Sequence, residues 1–171
     1  DEVLNQLNAY TRKAGLTAAD FYVNEKIPFG FNYVDADTDI THDNDTQGDH
    51  GSHVTGIAAG NRFVKDEAGN YVAALDSVMT QGVAPDAQIL TMKVFGKGGG
   101  AYDSDYMAAL EDALLLDCDT VNLSLGSSVS GHTFSDNDEL FASLQDTDTV
   151  VTISAGNKFS YAQYNLSLIH I

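Results

Sequence analysis

Hydrophobic and polar positions keep no steady period over residues 1–81, then fall into a regular rhythm from residue 82 onward. Residues 1–20 have helix-compatible composition with broken periodicity. Residues 21–39, "FYVNEKIPFGFNYVDADTD", carry β-rich aromatic pieces punctuated by Pro28 and Gly30, which predicts short strands or an extended segment. Asp, Asn, Thr and Gly then crowd residues 35–49 and mark a solvated loop. Gly51 to Gly60 are small and apolar, suited to a tightly packed helix, and residues 61–81 read as a polar excursion. Beyond it, Ile89 to Phe95 predict a buried strand, and residues 104–117 a helix with Met107, Leu110 and Leu114 on one side and Ser104 as N-cap. Residues 120–126 predict another buried strand, 135–146 a helix with Leu140, Phe141 and Leu144 as its apolar side, and 148–157 a third strand.

Strand, helix, strand, helix, strand, each a few residues apart, is the pattern of parallel βαβ units covered on both faces. Right-handed crossovers make this an α/β fold of three layers, built on a doubly wound, mostly parallel sheet. In such sheets functional groups gather at the carboxyl ends of the strands, where helices begin. No internal repeat or low-complexity linker interrupts the pattern.

Composition narrows the classes of partner. The 171 residues are the size of one domain, and 43% hydrophobic content argues against disorder. No apolar run approaches the roughly 18 residues of a membrane span. Eight basic residues against 25 acidic ones give a net charge of -17, which repels phosphate backbones and anionic lipid surfaces. The expectation is therefore no nucleic acid and no membrane insertion. The acidic balance does attract cations, calcium included. Cys118 is the single cysteine, so no intrachain disulfide forms, and its apolar setting predicts a small buried thiol.

The sharpest chemical signal is "GDHGSHVTGIAAG", residues 48–60, where His50 and His53 stand three apart at a loop-to-helix boundary. A helix dipole works against added positive charge there, which suits His50 to act as a general base. His53, one turn further in, is expected to pack inward or hydrogen-bond. Taken alone the pair also supports structural histidines or metal ligands, although the HExxH pattern is absent. "GKGGGAY", residues 96–102, satisfies neither GxxxxGK[ST] nor GxGxxG, so phosphate is not expected. The run Asp35, Asp37, Asp39, Asp43, Asp45 and Asp49 is read as a solvated acidic loop; calcium is its alternative, but the EF-hand Gly and terminal Glu are missing. Asn122 and Asn165 open glycosylation sequons by spacing only.

"HGSHVTGIAAG" closely resembles the histidine motif of the subtilisin-like serine proteases, the subtilases or peptidase S8 family. Two further blocks match that family in the right order. "VNLSLG", residues 121–126, resembles the strand whose edge pairs with an extended substrate, and "ISAGN", residues 153–157, resembles the oxyanion block. The resemblance implies a subtilisin-like fold, His50 as catalytic base with His53 structural, and Asn157 as donor to the oxygen that becomes negative. It implies that Ser124, Leu125 and Gly126 bind peptide by β-augmentation, with Gly98, Gly99 and Gly100 on the other side of the channel. Ser154, Ala155 and Gly156 would line the S1 wall. The partner implied is a polypeptide in extended conformation, with no cofactor required and no metal ligand assigned.

The family's chemistry needs Ser, His and Asp together, and only the His motif is present. No D-[ST]-G triplet occurs in residues 1–49, and no G-T-S-M-A motif follows Asn157. Asp43 and Asp45 are not nominated as the triad acid, because neither follows an apolar strand. The spacing resembles the cell-envelope subtilases of the lactocepin type, in which a segment with an "FNYVD"-like strand separates the Asp motif from the His. The expectation is a partial catalytic domain over residues 1–171 of a secreted or cell-envelope serine endopeptidase, inactive in isolation. The tail "LSLIHI", residues 166–171, reads as non-native. A non-catalytic peptide-binding module and a calcium-binding acidic domain are the rival classes.

Overall fold

The computed structural model describes residues 2–43, 48–97, 100–126 and 144–154. The chain divides into two compact units, Asp1–Ala109 and Leu110–Ile171.

The first unit opens with a 3-10 turn, Leu4–Gln6, and two short helices, α1 (Asn8–Arg12) and α2 (Ala18–Phe21). A capping box starts α2: Thr17 and Asp20 satisfy each other's otherwise unpaired groups. Strand β1 (Phe29–Asn32) follows and is buried along its whole length. Its period of two puts Phe29, Phe31 and Tyr33 on one side, where the Phe21 ring stacks on Phe29 at 5.0 Å and Tyr33 meets Phe31 edge-on at 5.1 Å. This aromatic row is the core of the unit.

Helix α3 (His50–Ala59) carries the candidate histidines. Its last turn is closed by a distant segment: the N–H groups of Gly82, Val83 and Ala84 donate to the carbonyls of Gly60, Ile57 and Ala58 at 2.9–3.0 Å. Those carbonyls have no partner within the helix, so the segment acts as its C-terminal cap. Strands β2 (Phe63–Lys65) and β3 (Tyr71–Ala73) form an antiparallel hairpin, followed by the single turn α4 (Ala74–Ser77). The expected polar excursion is thus ordered structure. Its loop is built by Asp66, whose carboxylate accepts the N–H groups of Ala68 and Asn70 at 2.9 and 2.8 Å. Gly69 supplies the positive φ that turns the chain back.

Strand β4 (Leu90–Lys93) pairs in parallel with β1, Phe29 opposite Leu90 and Asn32 opposite Lys93. It is half-buried throughout, where full burial was expected. Helix α5 (Asp103–Leu115) comes next and begins one residue before Ser104, so Ser104 lies in its first turn and is not the N-cap. Its buried side is set by Tyr106, Ala109, Leu110 and Ala113; Met107 and Leu114, expected on the core stripe, are half-buried.

In the second unit, β5 (Thr120–Leu123) pairs in parallel with β6 (Val150–Ile153), Thr120 opposite Val150 and Leu123 opposite Ile153. Leu110, Leu123 and Val151 make its buried core, with Val121, Leu125, Leu144 and Ile153 packed on it. Exposure alternates along both strands, which are therefore half-covered and not fully buried as expected. The predicted helix at 135–146 falls mostly outside the described residues; Leu144–Asp146 forms a 3-10 turn. The architecture is α/β and incomplete: among the described residues, parallel strands stand in pairs and alternate with helices along the chain.

Candidate functional site

His50 is the first residue of α3, as the sequence pattern required, and it is exposed. The helix turn behind it closes through the His53 N–H, which donates to the Asp49 carbonyl at 2.9 Å. His53 is exposed as well, against the expectation of an inward-packing residue. Small residues predominate in this helix, and among its residues only Ala59 is buried.

The described parts of the "VNLSLG" and "ISAGN" blocks, residues 121–126 and 153–154, lie side by side. Their strands are β5 and β6, and the ladder extends one residue past them, with the Ser154 N–H donating to the Leu123 carbonyl at 3.1 Å. The Ser154 hydroxyl then donates to the Leu125 carbonyl at 2.7 Å, which ties the residue after β6 to the 124–126 edge. On the exposed face, Asn122 Nδ2 donates to Ser124 Oγ at 2.8 Å while its Oδ1 accepts from the Thr152 hydroxyl at 3.1 Å. Ser124 and Leu125 are half-buried and Gly126 is exposed. Of the candidate glycines 98–100, only Gly100 is described, and it is exposed. Gly98, Gly99, Ala155, Gly156 and Asn157 lie outside the described residues, as do Asp45 and the 166–171 tail.

Three carboxylates of the acidic run are engaged by nearby groups. Asp35 accepts from Asn32 Nδ2 at 2.9 Å, Asp37 from the Asp39 N–H at 2.9 Å, and Asp39 from the hydroxyl and N–H of Thr41 at 2.6 and 3.0 Å. The Thr41 hydroxyl and then its N–H hold the Asp39 carboxyl below its ordinary value. Among the described residues no group of three or more His, Cys, Asp or Glu side chains is gathered in a way that could hold a metal ion. Nor is any described helix long and apolar enough to cross a membrane. An open depression of about 280 Å³ is lined by Leu114, Asp117, Cys118, Asp119, Thr147, Asp148 and Thr149. Burial, then the charges of Asp119 and Asp117, push the Cys118 thiol up, which makes it a poor nucleophile.

An α/β chain whose distinctive residues stand at a helix start and just beyond parallel strand ends belongs to a broad structural class. Comparison with known proteins narrows it. The Peptidase S8 subtilase family profile matches residues 15–168, and the chain belongs to that family. It is 39% identical over 142 residues, 80% of the chain, to the PI-type proteinase of Lactococcus lactis subsp. cremoris. It is 36% identical over 106 residues, 59% of the chain, to the minor extracellular protease Vpr of Bacillus subtilis. With the C5a peptidase of Streptococcus pyogenes it shares 27% identity over 154 residues, 88% of the chain. The chain spans 7%, 11% and 12% of the lengths of these three relatives.

Proposed function

We propose that this chain is the histidine-to-oxyanion part of the catalytic domain of a secreted or cell-envelope serine endopeptidase. The observation that carries the proposal is the family match across residues 15–168, with "HGSHVTGIAAG" opening a helix at His50. In this reading His50 takes the proton of a serine nucleophile as it attacks the scissile carbonyl, then passes it to the leaving amine. The Asn157 carboxamide donates to the oxygen that gains negative charge. Ser124, Leu125 and Gly126 hold an extended polypeptide by its backbone, Gly98, Gly99 and Gly100 also contact that polypeptide, and Ser154, Ala155 and Gly156 line the S1 wall. The parallel β5–β6 pair supports the grouping of 124–126 with 154.

The 171 residues hold neither a D-[ST]-G triplet before His50 nor a G-T-S-M-A motif, so the isolated chain is expected to hydrolyse nothing. A fluorophosphonate serine probe should leave it unlabelled, and should label a longer chain that supplies both motifs. In that longer chain His50→Ala should lower turnover by about six orders of magnitude, and Asn157→Ala by about 100- to 1,000-fold. Both figures derive from a member of this family. Labelling of the isolated chain, or full turnover after His50→Ala, would refute the reading.

A further inference from the structure

The described part of the candidate substrate segment starts at Gly100. Gly100 is exposed, and a Cβ built there would meet no atom within 4 Å. The described contacts that hold the connection between β4 and α5 lie at its two ends, and both ends lead to one side chain. Arg12, the last residue of α1, donates through one guanidinium nitrogen to the Tyr33 carbonyl and to Asp105 Oδ1, each at 2.6 Å. Its other terminal nitrogen donates to the Ser104 carbonyl at 2.7 Å.

At the start of the connection, the Tyr33 N–H donates to the Lys93 carbonyl at 2.9 Å, and Val34 lies so close to Gly96 that a Cβ there would come within 2.5 Å of it. At its end, the Tyr102 carbonyl accepts the N–H groups of Asp105 and Tyr106 at 3.0 and 3.3 Å. Asn8, one turn before Arg12 on α1, adds a hydrogen bond from its amide to the Ala108 carbonyl at 3.3 Å. The Asp105 end of the ion pair is buried, where screening by solvent is weak. A planar fork grips three acceptors at fixed angles, which an ammonium group cannot do.

We propose that Arg12 is a positioning residue for the substrate segment Gly100–Tyr102: it pins the end of β1 to the first turn of α5 and so sets the backbone that an incoming peptide strand pairs with. The substrate part of this rests on the function proposed above. The clamp itself does not.

Hydrogen exchange and peptide titration on the 171-residue chain test it. In Arg12→Gln the amides of Asp105 and Tyr106 should exchange about 10- to 100-fold faster while the β1–β4 ladder keeps its protection, and Arg12→Lys should fall between. Arg62→Gln, which breaks the exposed 2.7 Å pair with Asp86, should leave those amides unchanged. A capped hexapeptide of alternating Ala and Leu should bind Arg12→Gln about tenfold more weakly than the parent chain, because the segment must be ordered on binding. Parent-like exchange at Asp105 and Tyr106 in both Arg12 variants overturns the clamp. Faster exchange with unchanged peptide affinity overturns its link to substrate. If the parent chain binds no peptide, the reading of the segment as a substrate wall fails, and the clamp stands or falls on exchange alone.

Discussion

Gly82 and Gly60 meet more closely than any other residue pair with a side chain could. A Cβ on Gly82 would lie 2.2 Å from the Gly60 nitrogen and 2.5 Å from the Ala59 backbone, so no rotamer change relieves the contact. The approach exists because residues 82–84 cap α3, the helix that carries His50 at its other end. Gly82→Ala should therefore push the cap away and cost about 3 kcal/mol, read as a lowered midpoint in urea with little change in slope. A midpoint equal to the parent's would mean that the backbone yields without loss, and the cap would be no constraint on α3. The sequence marked Gly82 only as the start of a regular rhythm, since a close approach between residues 22 apart leaves no periodic trace.

Elements differ in how much of them was legible. The parallel strands β4, β5 and β6 and helix α5 lie where apolar runs placed them, because even a half-covered strand keeps a local apolar composition that short windows reveal. Helix α3 was legible from its small residues, and its start at His50 from the loop chemistry before it. The β2–β3 hairpin was not, because Phe63 and Tyr71 are exposed and its three-residue strands carry no clear apolar face. Its signal was the turn: Asp66 hydrogen-bonds across "DEAGN", and those bonds, led by the Asn70 N–H, hold its carboxyl below the ordinary value. A depressed folded value stabilises the hairpin above the unfolded aspartate range, about pH 4, and the contribution is lost as pH falls through the folded value. The Ala68 and Asn70 amide resonances should thus move with a midpoint below about pH 4 and become pH-insensitive in Asp66→Asn. A midpoint at or above that value would mean the turn does not favour the charged carboxylate. Of the candidate site, the His50 position and the 124–126 edge could be read from motifs, whereas the Arg12 contacts could not. They join residues 21, 92 and 93 positions apart, beyond the reach of any local pattern.

At the scale of the whole chain, charge is the dominant property. Twenty-five acidic residues against eight basic ones leave -17, and the carboxylates repel one another in any compact state. Few ion pairs among the described residues offset this. Among the described residues the Arg62–Asp86 pair is on the surface, where such contacts add little, and the Arg12–Asp105 pair is partly buried and local. Repulsion spread over the surface is screened by salt, whereas the partly buried pair is screened much less, so added salt should stabilise the chain on balance. Raising sodium chloride from about 10 to 300 mM should raise the melting temperature by about 3 °C or more, since the Debye length shrinks several-fold over that range. A falling melting temperature would mean that attractive pairs outweigh the net charge. The same experiment separates diffuse screening from a bound ion. Calcium chloride and magnesium chloride at matched ionic strength should give equal increments if the acidic loop is only solvated, because its Asp35, Asp37 and Asp39 oxygens are already engaged by nearby N–H and O–H groups. An increment specific to calcium, saturating with concentration as site binding does, would instead assign that ion to the fold.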